Sequence, residues 1–205
     1  MRRLNIWQQT IFCAVILAIT PAAASADGIV LGILPISQSV ALGAQVTPDL
    51  EIVGLGDPPS LGTFDVNIGF DPTILTFSNA TFGDPSLGDQ LDPTGGGNTI
   101  SFITPGVGTV ELFELSLDSD TDLNSLQASG FVLASLTFNA IGVGTSPLTV
   151  SINALGDADG NSLSASIQSG SVNVPGTSVP EPRSVLLLGS GLAAICIKRA
   201  MIGHS

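Results

Sequence analysis

An all-β sandwich of about nine strands is the fold class this sequence predicts, and three observations predict it. Between residues 27 and 175, apolar residues alternate with polar ones, the pattern of a strand with one buried face. Gly, Pro, Asp and Asn interrupt those runs at short spacing, as turns between many short strands require. No stretch of the same region carries a convincing long helical stripe. Many short alternating strands feeding one core mean a sandwich or a barrel, and a span of this length is near the commonest single-domain size.

Residues 1–26 stand outside that domain. MRRLNIWQQT supplies a short positive region, IFCAVILAI an apolar run, and Ala24-Ser25-Ala26 the small residues a signal peptidase reads, which together are the pattern of a cleaved secretory signal. The run is too short for an anchor, since nine residues rise only about 14 Å as a helix against a hydrocarbon core of roughly 30 Å. The body is therefore expected to fold outside the cytoplasm.

Within the body, GTFDVNIGF sets Phe64, Val66, Ile68 and Phe70 on one face and Asp65 and Asn67 on the other. Phe113, Leu115 and Leu117 repeat the period, as do Val132, Ala134, Leu136 and Phe138, and Leu148, Val150 and Ile152. Further strands are expected over 30–37, 46–53, 74–81, 98–104 and 168–174. The eight Phe of the body are read mostly as inward core residues. GDPSLGDQLDPTGGG (83–97) is expected to be a long mobile loop at the sandwich edge, and residues 175–179 a linker to the C-terminal segment.

Charge is distributed unevenly. All five basic residues, Arg2, Arg3, Arg183, Lys198 and Arg199, lie outside residues 27–179, whereas sixteen of the seventeen acidic residues lie inside that span. A body with no basic group repels nucleic acid and anionic lipid heads, so neither is expected as its partner. It contains no Cys or His, because Cys13, Cys196 and His204 are all outside it. Disulfides, Ser-His-Asp, Cys-His and Ser-Lys catalysis, and the usual zinc sites are excluded there. Carboxylate glycosidase chemistry needs two flanking acids, and the sequence singles out no such pair; no enzyme is expected.

Two acidic runs are candidate cation sites, with calcium as the cofactor they would take. DSDTDLN places Asp118, Asp120, Asp122 and Asn124 at alternate positions. An EF-hand would need Gly and Glu where Leu123 and Ser129 stand, so only a looser site or a solvated acidic loop fits. Asp157, Asp159 and Asn161 in GDADGN read first as a hairpin turn and second as metal ligands, with Gly160 free to take a positive φ. Neither Trp nor Tyr occurs in the body to form a sugar-stacking platform.

Near the C-terminus, Pro180-Glu181-Pro182 precedes an apolar run from Val185 to Ile197 and then Lys198-Arg199. With its flanks the run reaches about 20 residues, enough for one membrane helix, and the basic pair would hold its end on the cytoplasmic side. This order resembles the PEP-CTERM sorting signal. The resemblance implies processing by an exosortase-type membrane protease in the envelope of a Gram-negative bacterium that makes exopolysaccharide.

The body in turn resembles a cohesin domain. The cues are GTFDVNIGFDPTILTFSNATFGD, FVLASLTFNAIGVGTSPLTV with its strands joined through Gly142 and Gly144, and DADGNSL followed by GSVNV. The resemblance implies a jelly-roll β-sandwich that binds a protein, such as a dockerin-like module, or a polysaccharide. The expected organisation is a signal peptide (1–26), a cohesin-like sandwich (27–175), and a linker with a sorting segment and membrane helix (176–205). The expected role is that of a non-enzymatic surface or extracellular-matrix protein. A calcium-dependent carbohydrate-binding module is the second reading and a carboxylate glycosidase the third.

Overall fold

A computed structural model describes residues 28–176. The signal residues Ala24 and Ala26 and the sorting residues Pro180, Glu181, Pro182, Lys198 and Arg199 lie outside the described residues. Twelve strands form two six-stranded sheets. The first sheet holds β1 (Val30–Leu34), β3 (Gln45–Val46), β4 (Asp49–Val53), β6 (Leu75–Phe82), β9 (Gly130–Ala140) and β11 (Ser166–Gln168). Its order is β11-β1-β4-β9-β3, with β6 also paired to β9. The second runs β2 (Ser37–Ser39), β12 (Gly170–Val174), β10 (Gly144–Asp157), β5 (Leu61–Gly69), β8 (Thr109–Ser116) and β7 (Thr99–Gly106).

Each of the nine expected strands is present, and three of them are broken in two. The run 30–37 divides at Pro35 into β1 in the first sheet and β2 in the second. Likewise 168–174 falls across β11 and β12, which also belong to different sheets. The two crossings lie side by side, with the Ser171 N–H donating to the Ile36 carbonyl at 2.8 Å. They lace the sheets together along one side of the sandwich. Pro48, which has no N–H for a ladder, separates β3 from β4.

The core lies between the sheets. Leu50 and Ile52 of β4 and Leu136 and Phe138 of β9 face Phe64, Val66 and Ile68 of β5, Leu112 of β8 and Leu148 of β10. Phe138 is fully buried, and its ring meets those of Phe70 at 5.1 Å and Phe77 at 5.8 Å, both edge-on, the geometry aromatic quadrupoles prefer.

Three expectations need correction. In β8 the inward residues are Val110, Leu112 and Glu114, so Phe113 and Leu115 lie on the outer face, and Leu117 is exposed beyond the strand. In β9, Phe131 and Leu133 are buried as well as Ala134, Leu136 and Phe138, while Val132 is only half-buried. A register irregularity opposite Leu50 and Glu51 shifts the parity there. The 83–97 segment is a packed loop rather than a loose one, because Leu91 is fully buried in the core and Gln90 is buried beside it.

One short helix, α1 (Asp120–Leu126), interrupts the strands. Ser119 caps it: its hydroxyl accepts from the Asp122 N–H at 3.1 Å and donates to the Asp122 carboxylate at 2.7 Å. The spacing of Ser119 and Asp122 is a capping-box pattern with Asp in place of Glu, and it was the signal available for a helix too short to show a stripe.

Candidate functional site

The outer face of the second sheet is the candidate site, and strand register builds it row by row. Phe102 of β7 opposes Phe113 of β8, which opposes Asp65 of β5. In the next row stand Ile100, Leu115 and Thr63, and on the other side Thr104, Glu111, Asn67 and Ser151. Strands spaced about 4.8 Å apart make this face roughly 15 Å wide from β7 to β10.

Two kinds of surface meet on it. On β7 and β8, Ile100, Phe102, Phe113 and Leu115 form an apolar patch in which the two Phe rings stack at 6.0 Å and 27°. Phe102 is 60% exposed, a large cost to leave in water unless something covers it. On β5 and β10 the surface is polar. A bulge in β10 between Ile152 and Ala154 turns Asn153 outward, where it donates to the Asp65 carboxylate at 2.9 Å and accepts from the Asn67 amide at 3.1 Å. The ladder of bonds holds these side chains in place.

Beneath the patch lies an unusual group. Glu114 points into the sandwich, is 1% exposed, and its Oε2 has no hydrogen-bond partner. Burial, with the Asp89 carboxylate beside it, pushes its pKa up to about 8. With its pKa raised to about 8, Glu114 is mostly protonated at pH 7, and its O–H is the donor that a contact between two carboxyl groups requires. The contact ties β8 to the 83–97 loop. Nearby, the Gln127 amide donates to the carbonyls of Leu61 at 2.9 Å and Gln90 at 2.8 Å and accepts from the Leu61 N–H at 2.6 Å. Sequence reading passed over Glu114 because an acid in an alternating strand is expected to face water.

The acidic runs are placed as follows. Asp118 accepts from the Thr94 hydroxyl at 3.0 Å and the Asn98 amide at 2.7 Å. Asp120 and Asp122 lie in the first turn of α1, and Asn124 accepts from the Ser60 hydroxyl at 2.8 Å. Asp118 precedes the helix and is turned onto Thr94 and Asn98, and Asp122 points about 200° around the helix from both Asp120 and Asn124, so the four residues do not converge. Asp157 accepts from the N–H groups of Asp159 at 3.0 Å and Asn161 at 2.7 Å, and Gly160 takes φ +83°. The Asn161 side chain, then its N–H, hold the Asp157 carboxyl below the usual range. That is the geometry of a turn. Among the described residues no three His, Cys, Asp or Glu side chains are grouped to hold a metal ion.

No protein-family model matches the sequence, and no curated protein matches it. Solved structures do. The sixth cohesin of scaffoldin B from Acetivibrio cellulolyticus, determined in complex with a Cel5 dockerin mutant, is 20% identical with a TM-score of 0.57. The match covers 72% of this chain and 99% of that one. A non-cellulosomal cohesin from the archaeon Archaeoglobus fulgidus is 14% identical, with 74% and 94% coverage and a TM-score of 0.53. The cohesin module of a family 33 glycoside hydrolase from Clostridium perfringens is 12% identical, with 72% and 96% coverage and a TM-score of 0.53. Two laced sheets, TM-scores above 0.5 and near-complete coverage of each module give one conclusion: the described domain has the cohesin fold.

Proposed function

We propose that the protein is a non-enzymatic, exported binding module that docks a protein partner on the outer face of the second sheet. One observation carries the reading: Ile100, Phe102, Phe113 and Leu115 form an exposed apolar patch beside the ordered polar ladder of Asp65, Asn153 and Asn67. Aromatic anchors flanked by fixed polar groups are how protein interfaces gain affinity and register. Several cohesins of the same fold were determined in complex with dockerins, which supports a dockerin-like partner. An exosortase-type protease acting at Pro180-Glu181-Pro182 would place the module at the cell surface or in the extracellular matrix.

A second reading, exopolysaccharide binding, is favoured by one feature only: the flat, exposed Phe102–Phe113 stack could carry a sugar ring beside Asn and Asp donors and acceptors. Affinity capture from matrix extract separates the two. Wild-type protein should retain partners that a Phe102→Ser, Phe113→Ser variant loses. If the retained material disappears when the extract is first digested with protease, the partner is a protein; if it survives, the partner is polysaccharide. Equal retention by wild type and variant would reject this face as the site.

A further inference from the structure

The two ends of the sandwich differ in chemistry. At one end lie the connections 54–60, 83–98, 117–129 and 157–165, which hold one, three, three and two Asp residues. At the other lie 40–44, 70–74, 106–108 and 141–143, whose one acidic residue is Asp71. Its carboxylate is turned onto the N–H and hydroxyl of Thr73 at 2.8 and 2.6 Å. At this second end Leu42 is 51% exposed, Val107 93%, Ile141 53% and Val143 56%, with Asp71 the one acid near them, whereas Leu87, Leu117 and Leu126, exposed at the first end, stand among its Asp residues. Val107 sits at the tip of the β7–β8 hairpin beside Gly108, which takes φ +72°. The sheet twist does not require an apolar residue at such a tip, since hairpin tips favour Gly, Asn and Asp. Beside it a groove of about 260 Å³ is lined by Phe70, Pro72, Phe77 and Val107.

The chain leaves the sandwich at this apolar end. β12 finishes at Val174 opposite Gly144, and Gly176 lies against Val143, close enough that a Cβ there would stand 3.5 Å from its Cγ1. Residues 177–184 then separate the domain from the apolar run 185–197. Eight residues reach no more than about 28 Å, so a membrane-held run would keep this end close to the lipid. At such effective concentration, contacts too weak to bind alone become significant.

We propose that, in the chain whose C-terminal segment has not been cut, the end bearing Leu42, Val107, Ile141 and Val143 lies against a lipid surface, with that segment as its tether. The inference rests on reading residues 180–199 as a membrane segment. Charge selects the orientation. The acidic end is repelled by anionic head groups, whereas the aliphatic loop tips beside the chain's exit gain by entering the interface. The module thereby stands upright, with the outer face of the second sheet open to a partner.

The test uses the full chain with Cys13→Ser and Cys196→Ser, reconstituted in phosphatidylcholine vesicles. One environment-sensitive fluorophore is placed through Val107→Cys and, at the acidic end, through Leu87→Cys. Both proteins should float with the vesicles. The label at 107 should be blue-shifted and lose most of its emission to nitroxide-bearing lipids, and the label at 87 should do neither. Adding Leu42→Ser and Ile141→Ser should reduce the quenching at 107. Flotation without quenching at 107 would overturn the apposition and leave the tether standing. A blue shift without lipid quenching would assign the face to protein contact and overturn it too. Loss of flotation would overturn tether and apposition together.

Discussion

Strands β8 and β9 have the same kind of sequence and opposite relations to it. In β9 the alternation Ala134, Leu136, Phe138 points inward, as its composition suggests. In β8, TVELFELS offers two apolar residues and a Glu on each face: Val110, Leu112 and Glu114, or Glu111, Phe113 and Leu115. Period two fixes that there are two faces and not which one is buried. The neighbours decide. Register places Phe113 beside Asp65, which faces out on β5, and beside Phe102 on the edge strand β7. The face richer in aromatic surface is thus the exposed one, and the buried face carries the acid. An unfavourable burial and an unfavourable exposure in one strand mark a place where the sequence serves something other than stability.

The largest effects should separate the two strands. Phe138→Ala removes a fully buried ring from the contact with Phe70 and Phe77 and should cost about 3–5 kcal/mol, a large part of the roughly 5–15 kcal/mol of a typical domain. Leu112→Ala, on the inward side of β8, should cost about 2–5 kcal/mol. Denaturant unfolding of the two variants checks both values. A Leu112→Ala variant as stable as the wild type would reverse the assignment of faces in β8.

Glu114 sharpens the same contrast through pH. Its carboxyl keeps the proton to about pH 8 in the fold, whereas an unfolded Glu loses it near about 4.3. Between those values the folded chain binds the extra proton, so stability falls as pH rises and levels off above about pH 8. Asp84 acts in the opposite sense: the N–H groups of Val132, Ser86 and Leu87 hold its carboxyl low, and that stabilisation is lost as pH falls through its folded value. A melting temperature highest near pH 4–5 and declining toward pH 8 is expected. Glu114→Gln keeps a donor for Asp89 and cannot ionise, so it should flatten the decline and exceed wild type at pH 9 by about 1–3 kcal/mol, the cost of a buried unpartnered polar group. Parallel pH profiles of the two proteins would show that Glu114 does not hold its proton.

The fold was largely legible in the sequence, because strand existence depends on local alternation, which β5 shows in Phe64, Val66 and Ile68. What was not legible depends on partners far along the chain. Asn153 reaches the surface ladder through a bulge that only pairing with β5 reveals. The sheet switches at Pro35 and between β11 and β12 need both sheets in view. Leu91 anchors the 83–97 loop although Gly and Asp around it read as unstructured, since one buried side chain outweighs a permissive composition. The candidate site was hidden for the same reason: Phe102 and Phe113 look like core residues until their parity is known.

Smaller effects are expected on the outer face. Phe102→Ala and Phe113→Ala should change stability by about 1 kcal/mol or less, the worth of an exposed aromatic pair, while abolishing capture of the partner. A stability loss near that of Phe138→Ala would place the rings in the core after all, and unchanged capture would leave the patch without a role in docking.

The smallest effect concerns a third period-two pattern, Asp118, Asp120 and Asp122, which the fold bends into the start of α1. Its carboxylates are separated, and the Asp157 turn is occupied by its own N–H groups, so any divalent ion taken up there completes its shell with water. Nine Asp residues at one end with no Lys or Arg in the body nonetheless repel one another, and a cation favouring the folded state relieves what no protein group can. Millimolar calcium should therefore raise the melting temperature by about 1–2 °C over sodium at equal ionic strength, a few tenths of a kcal/mol for a domain of this size. Asp118→Asn should remove more of that increment than Asp157→Asn, because Asp118 is held chiefly by side chains of Thr94 and Asn98 that can yield, whereas Asp157 is held by the N–H groups of Asp159 and Asn161 as well as by the Asn161 side chain. Equal melting temperatures in the two salts would reduce both runs to a helix start and a turn, and the calcium-dependent carbohydrate reading would fall with them.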